Sequence, residues 1–126
     1  LRLGLKKEAE DMLKQWEELL LPGRSVWPEG TAVPRSECHV WSAWPLVGMQ
    51  RLYTGFEILE PGGGRIALSP WLSRMKTLRG AIPTGRGLLE YDFSSEHSKL
   101  KIPENVEVVW KQETAIQGNG QWIKIN

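Results

Sequence analysis

The stretch PGGGRIALSPWLSRMKTLRGAIPTGRGLLEYDF, residues 61–93, marks the change from helical to strand periodicity in this chain. Pro61 and the three glycines that follow it interrupt any regular element, so they predict a boundary between two modules. Beyond this boundary the chain consists of short apolar runs separated by turn residues, with no helical pattern between them. Such spacing predicts an antiparallel β-sandwich over residues 61–126. The predicted strands are 65–68, 75–82, 87–93, 98–102, 106–111 and 121–125.

Two helices are predicted upstream of the boundary. In residues 5–20, apolar side chains recur at helical spacing with charged residues between them. The second helix begins near His39 and extends to Thr54, where Gly55 is well placed as the C-terminal cap. Because this helix is apolar around much of its circumference, it is expected to be buried on several sides. The predicted fold class is therefore mixed α and β, with helices in residues 1–60 and the sandwich in 61–126.

The composition limits the kinds of partner to expect. Sixteen Lys and Arg residues balance 15 Asp and Glu residues, and no basic stripe of the kind that nucleic-acid binders carry is visible. No apolar run approaches the ~20 residues that span a bilayer. Cys38 is the single cysteine, so the fold does not depend on a disulfide and the compartment stays open. Because the chain begins with Leu1 and opens directly into a helical pattern, we expect it to be a piece of a longer protein.

The chemically informative residues lie between the two helices and at the start of the second. Glu29 and Glu37 supply carboxylates, Arg35 a guanidinium, His39 an imidazole and Trp27 an indole. Glycoside hydrolysis needs this inventory, because one carboxylate activates water or attacks the anomeric carbon while a second carboxyl protonates the leaving oxygen. Polar donors hold the sugar hydroxyls, and an aromatic face packs on the ring.

A resemblance to a known family starts in the same region. The stretch RSECHVWSAWP, residues 35–45, resembles the motif R-S-[DE]-C-H-x-W-S-A-x-P near the C-terminus of bacterial α-L-rhamnosidases. Further steps follow in the order and spacing of that family. YTGFEI at 53–58 resembles its helix end, EPGG at 60–63 its P-G-F step with Gly in place of Phe, RIALSP at 65–70 its V-x-I-x-P and RGAIPTGRG at 79–87 its G-x-x-P-x-x-x-G hairpin. The similarity spans residues 27–93, whereas the first helix and the last strands match only in kind.

The resemblance implies a fold and an activity. The family joins an (α/α)6-barrel catalytic domain to a C-terminal β-sandwich and hydrolyses terminal α-L-rhamnosides with inversion. The two predicted helices would then be the last helices of the barrel, and the missing N-terminal part of the same enzyme would be a partner. Glu29 resembles the general base and His39 a sugar-hydroxyl ligand, with Trp27, Arg35 and Glu37 as further substrate contacts. The general acid would lie upstream of this chain, and no metal or cofactor is implied.

Structural roles for the same residues stay open. Glu29 has the alternative of a solvated loop carboxylate, and Arg35 and Glu37 that of a salt bridge with each other. Cys38 is expected to be a small buried thiol rather than a nucleophile. His97 lies in a polar turn and is expected to be exposed. The two histidines and one cysteine have no metal-site spacing.

A second function class competes with the hydrolase. A non-catalytic carbohydrate-binding or structural β-sandwich would need aromatic side chains exposed on a sheet, with Trp71, Tyr91, Trp110 and Trp122 as the candidates. A third hypothesis is a barrel enzyme acting on another sugar, such as a glucuronide or a fucoside. The exposed apolar face of the first helix also predicts self-association of the chain.

Overall fold

The computed structural model describes residues 4–17, 19, 28 and 40–125, and the chain divides into two compact units, Leu1–Leu52 and Tyr53–Asn126. Helix α1 (Lys6–Glu17) lies in the first unit. A 3-10 turn (Val40–Ala43) leads into helix α2 (Trp44–Thr54), whose last two residues belong to the second unit. None of the described helices is both long and apolar enough to cross a membrane.

Eight described strands form two four-stranded sheets in the second unit. They are β1 (Glu57–Ile58), β2 (Arg65–Leu68), β3 (Thr77–Thr84), β4 (Gly87–Ser94), β5 (Ser98–Lys101), β6 (Glu107–Trp110), β7 (Thr114–Gln117) and β8 (Trp122–Ile125). Sheet I has the order β1-β2-β6-β7, and sheet II has the order β3-β4-β5-β8. All neighbouring strands are antiparallel except β2 and β6, which are parallel. The prediction of a mixed α and β fold with a β-sandwich-like arrangement is confirmed.

One apolar core joins the inner faces of the two sheets. Alternate residues of the strands are buried because successive side chains point to opposite faces. Phe93 of β4 is 1% exposed, and its ring centroid lies 5.2 Å from that of Tyr91 and 5.5 Å from that of Trp110 on sheet I. Burial of each large apolar side chain contributes about 1.5–3 kcal/mol to folding. The buried members are Ile66, Leu68, Ile82, Leu89, Tyr91, Phe93, Leu100, Ile102, Val106, Val108 and Trp110.

The strand predictions were incomplete in three places. The two-residue β1 was not predicted, and neither was β7, whose sequence TAIQ has a single large apolar residue. β3 continues through Pro83 to Thr84, beyond the predicted end at residue 82. Proline is tolerated there because β3 is an edge strand, so Pro83 need not donate a hydrogen bond to a further neighbour.

Gly55 ends helix α2 as predicted. Its φ of +64° is the left-handed conformation that glycine adopts at helix ends. An added Cβ atom would lie only 2.5 Å from the carbonyl oxygen of Ser69. This close approach accompanies two backbone hydrogen bonds, from Ser69 N to Thr54 O at 2.9 Å and from Trp71 N to Tyr53 O at 2.8 Å.

The prediction that α2 is buried on several sides was wrong. Trp44, Leu46 and Val47 are 51%, 57% and 54% exposed. Within the described part of the first unit α1 is the one other helix, so it can cover a single face of α2. Leu52 on that face is 1% exposed.

Candidate functional site

The predicted sugar site falls on a part of the chain whose structure is not described. Trp27, Glu29, Arg35, Glu37 and His39 all lie outside the described residues. Cys38 lies outside them too. The common pocket for Glu29 and His39 therefore stays a prediction.

The C-terminal half of the RSECHVWSAWP motif is described. The 3-10 turn Val40–Ala43 follows directly after His39 and leads into α2. Ser42 in this turn is 4% exposed, and Pro45 stands in the first turn of α2, where its missing N–H has no helical partner to lose. This part of the motif thus forms a compact helix start.

An apolar cleft separates the two helices of the first unit. Its volume is about 230 Å³, and the rings of Trp16 and Trp44 meet there edge to face with centroids 6.1 Å apart. Its lining residues are Ala9, Met12, Leu13, Trp16, Trp44, Gly48 and Leu52. None of these side chains can act as a general acid or base, and their polar groups are the two indole N–H donors. The cleft is a packing surface and not a reaction site.

The four aromatic residues considered for sugar binding differ in how much of each side chain is exposed. Tyr91 and Trp110 are 6% and 5% exposed and form part of the sandwich core. Trp71 is half-buried and stacks on Tyr53, with centroids 6.3 Å apart. Trp122 on β8 is 50% exposed. Of these four, Trp122 is the residue that offers a large ring surface to solvent.

Trp122 lies on the outer face of sheet II, where strand register arranges polar residues in two rows. Residues paired across neighbouring strands share a face, and residues two apart along a strand share it as well. The first row runs Arg79, Asp92, Lys99 and Lys124. The second row runs Ala81, Glu90, Lys101 and Trp122. Sequence analysis missed this surface because it depends on which strand pairs with which.

The carboxylates of this face are already paired. Arg79 Nε donates to Asp92 Oδ1 at 2.9 Å, and Lys101 Nζ donates to Glu90 Oε1 at 2.8 Å. The hydrogen bond from Arg79 is the largest cause that holds the pKa of Asp92 below its ordinary value of 3.8, and His97 acts in the same direction. Each carboxylate is thus bound to a cation of its own face.

The prediction that His97 is simply exposed was wrong. Its side chain is 24% exposed, with Nδ1 3.1 Å from Ser94 Oγ and Nε2 3.3 Å from Asp92 Oδ1. The Ser94 hydroxyl also accepts hydrogen bonds from the backbone N–H groups of Glu96 and His97, which closes the turn and folds the imidazole back over the sheet. Serine turns of this type bring a nearby side chain close to the backbone.

An open groove of about 420 Å³ runs beside Trp122. Its lining residues are Asp92, Lys99, Trp122, Ile123 and Lys124. It combines an aromatic face with two ammonium groups, which suits binding better than catalysis. Within residues 4–17, 19, 28 and 40–125, no three His, Cys, Asp or Glu side chains converge to form a metal site.

Comparison of the chain with protein-family models, curated proteins and solved structures gave no match. The resemblance to α-L-rhamnosidases therefore stays a prediction from the ordered sequence motifs.

Proposed function

We propose that this chain is the C-terminal portion of a glycoside hydrolase resembling the α-L-rhamnosidases, which in the complete enzyme hydrolyses terminal α-L-rhamnosides with inversion. The helices would be the last ones of an (α/α)6 barrel, and the sandwich would follow that barrel. The motifs over residues 27–93 suggest the family. The structural observation that supports the proposal is the apolar surface that α1 and α2 leave uncovered.

Exposed apolar side chains are numerous on these two short helices and just before α1. They are Leu5, Met12, Trp44, Leu46 and Val47, all between 49% and 60% exposed. Complete burial of a fully exposed side chain of this kind stabilises a fold by about 1.5–3 kcal/mol, so covering each of these half-exposed side chains would contribute part of that amount. Neighbouring barrel helices would cover this surface. Without them, the same surface is expected to drive self-association of the chain.

The proposed chemistry divides between this chain and an upstream segment. Glu29 would act as general base and activate a water molecule for attack on the anomeric carbon. His39 would bind a sugar hydroxyl, Trp27 would pack on the ring, and Arg35 and Glu37 would make the remaining polar contacts. An inverting hydrolase also needs a general acid, with the two carboxyl groups about 6.5–9.5 Å apart to admit the water. Since that acid would lie upstream, the chain by itself is expected to be inactive.

The test compares Glu29→Gln with Glu113→Gln in the complete enzyme, using an aryl α-L-rhamnoside. Loss of a general base should lower kcat by about 10²–10⁴-fold, while the exposed Glu113, outside the proposed site, should tolerate the same change. The anomer first released, followed by NMR, should be the inverted one. Unchanged turnover in Glu29→Gln would remove Glu29 from the mechanism. If the enzyme hydrolysed a glucuronide or a fucoside and not the rhamnoside, the proposed substrate would be wrong.

One observation favours the alternative, a non-catalytic carbohydrate-binding module. The indole of Trp122 is half exposed on a sheet face, as that function requires. The two hypotheses are separable, because hydrolysis depends on Glu29 whereas binding by the module would depend on Trp122.

A further inference from the structure

Two lysines on the outer face of sheet II stand directly opposite each other. Lys99 on β5 is the register partner of Lys124 on β8. Side chains at opposed positions of an antiparallel pair have Cβ atoms about 4.5–5.5 Å apart, and like charges placed there destabilise the sheet. Within the described part of the chain, neither ammonium group forms an ion pair.

The carboxylate that could neutralise Lys99 is held elsewhere. Asp92 is the register partner of Lys99 on β4, yet its Oδ1 accepts from Arg79 at 2.9 Å and lies 3.3 Å from His97 Nε2. Glu90, the other carboxylate of the face, is bound to Lys101. The face therefore presents two adjacent positive charges that its own acids leave uncompensated.

Protection of the sheet edge accounts for only one of these lysines. Charged residues on edge strands prevent pairing with other chains, and β8 is an edge strand, so Lys124 can serve that purpose. Lys99 lies on β5, which is paired on both sides. Edge protection also fails to explain Trp122, because an exposed indole on an edge strand promotes association.

Trp122 completes the pattern. It lies two residues before Lys124 on the same face, about 7 Å away at the usual strand rise, and both line the open groove with Lys99. Half of its surface is exposed. A flat indole beside a pair of ammonium groups suits a ring that has one apolar face and carries an anion.

We propose that the outer face of sheet II binds an acidic saccharide, with a hexuronate ring stacked on Trp122 and its carboxylate between Lys99 and Lys124. A nucleic-acid backbone is the less suitable anion, because its binding requires many cations along a row of phosphates, whereas two lysines line this groove and the whole chain has a net charge of only +1. This site is separate from the predicted catalytic residues. Binding measurements test this site, and their outcome does not affect the hydrolase proposal, which the turnover assay of Glu29→Gln tests.

The experiment titrates the 126-residue chain with an oligogalacturonate at low salt, by calorimetry and tryptophan fluorescence. A dissociation constant below about 1 mM is expected for one stacked ring and a carboxylate paired with two ammonium groups. Lys99→Gln and Lys124→Gln should each weaken binding on the order of tenfold, and Trp122→Ala by tenfold or more. Lys76→Gln, which removes the same charge from an exposed position just before β3, at the opposite edge of sheet II, is the matched control and should bind as the parent does.

A second measurement guards against variants that merely fail to fold. Lys99→Gln should leave the urea midpoint unchanged or raise it, because it removes a like-charge contact. A lowered midpoint would contradict that repulsion and overturn the proposal. Equal binding by the parent and both lysine variants, equal binding of a neutral oligosaccharide, tighter binding of oligothymidylate or no binding at about 10 mM ligand would overturn it as well.

Discussion

Replacement of Gly55 by alanine tests how the end of α2 is fitted to the sandwich unit. Gly55 has a φ of +64°, and the site of an added Cβ lies 2.5 Å from Ser69 O and 2.8 Å from Ser69 N. The shorter separation is about 0.9 Å less than 3.4 Å, where ordinary contact begins. The obstacle is backbone and not a flexible side chain, so either the helix end or the segment at Ser69 must move.

Two contributions set the expected loss. A left-handed conformation costs a non-glycine residue about 1–2 kcal/mol. The displacement also strains the hydrogen bond from Ser69 N to Thr54 O, which is 2.9 Å long. Thr54 is fully buried, so water cannot replace the lost donor, and an unsatisfied buried group costs about 1–3 kcal/mol. We therefore expect Gly55→Ala to lower the free energy of unfolding by about 2–5 kcal/mol.

Gly120→Ala is the matched control for this substitution. Its φ is +72°, close to that of Gly55, but no atom lies within 4 Å of the site of its Cβ. Gly120→Ala should lower the free energy of unfolding only by the cost of the left-handed backbone conformation, about 1–2 kcal/mol. Urea unfolding followed by near-ultraviolet circular dichroism, which reports the packed core rings, measures both variants. A difference of less than about 0.5 kcal/mol between them would refute the close-approach argument, since that argument predicts about 1–3 kcal/mol.

Two further predictions concern the sandwich. Phe93→Ala should lower the free energy of unfolding by about 3–5 kcal/mol because it opens a cavity between the sheets. Leu88→Ala, at a 57% exposed position on the same strand, should lower it by less than about 1 kcal/mol. Comparable losses in the two variants would show that the core is not centred on Phe93. Arg79 holds the pKa of Asp92 below its ordinary value, so the pair stabilises the fold above that value and the contribution is lost as the pH falls through the lowered pKa. Acid titration of stability should therefore show a smaller loss below pH 3.8 in Asp92→Asn than in the parent, and identical acid limbs would contradict the contribution.

Local sequence signals predicted the elements well where a physical rule acts over a few residues. Gly55 predicted the end of α2, because helices commonly end at a residue in the left-handed conformation and glycine adopts that conformation most easily. A short apolar run between turn residues predicted β4, whose Leu89, Tyr91 and Phe93 are buried while the residues between them are not. β7 was missed because TAIQ carries one large apolar residue, and its strand conformation comes from pairing with β6.

Pairing between distant strands was beyond these local rules. β2 and β6 are parallel neighbours although 38 residues separate Leu68 from Glu107, and nothing within either segment specifies the other as its partner. The same holds for Lys99 and Lys124, which are unremarkable surface lysines in the sequence and become an opposed pair only through the register of β5 and β8. The position of His97 over Asp92 likewise depends on a turn closed by the Ser94 hydroxyl.

The two proposed sites depend on different kinds of observation. The proposed hydrolase site comes from the sequence motifs of residues 27–45, whose residue types suit sugar chemistry. The proposed uronate site comes from strand pairing and from no sequence motif. Lys99 of β5 comes next to Trp122 and Lys124 of β8 only when the two strands pair. A one-residue slip between β5 and β8 would turn Lys124 and Trp122 to the core face and abolish the second site without touching the first. Register between β5 and β8 is favoured by the pairing of buried Leu100 with half-buried Ile123 on the core face, so the packing of the core is what places the charges on the outer face.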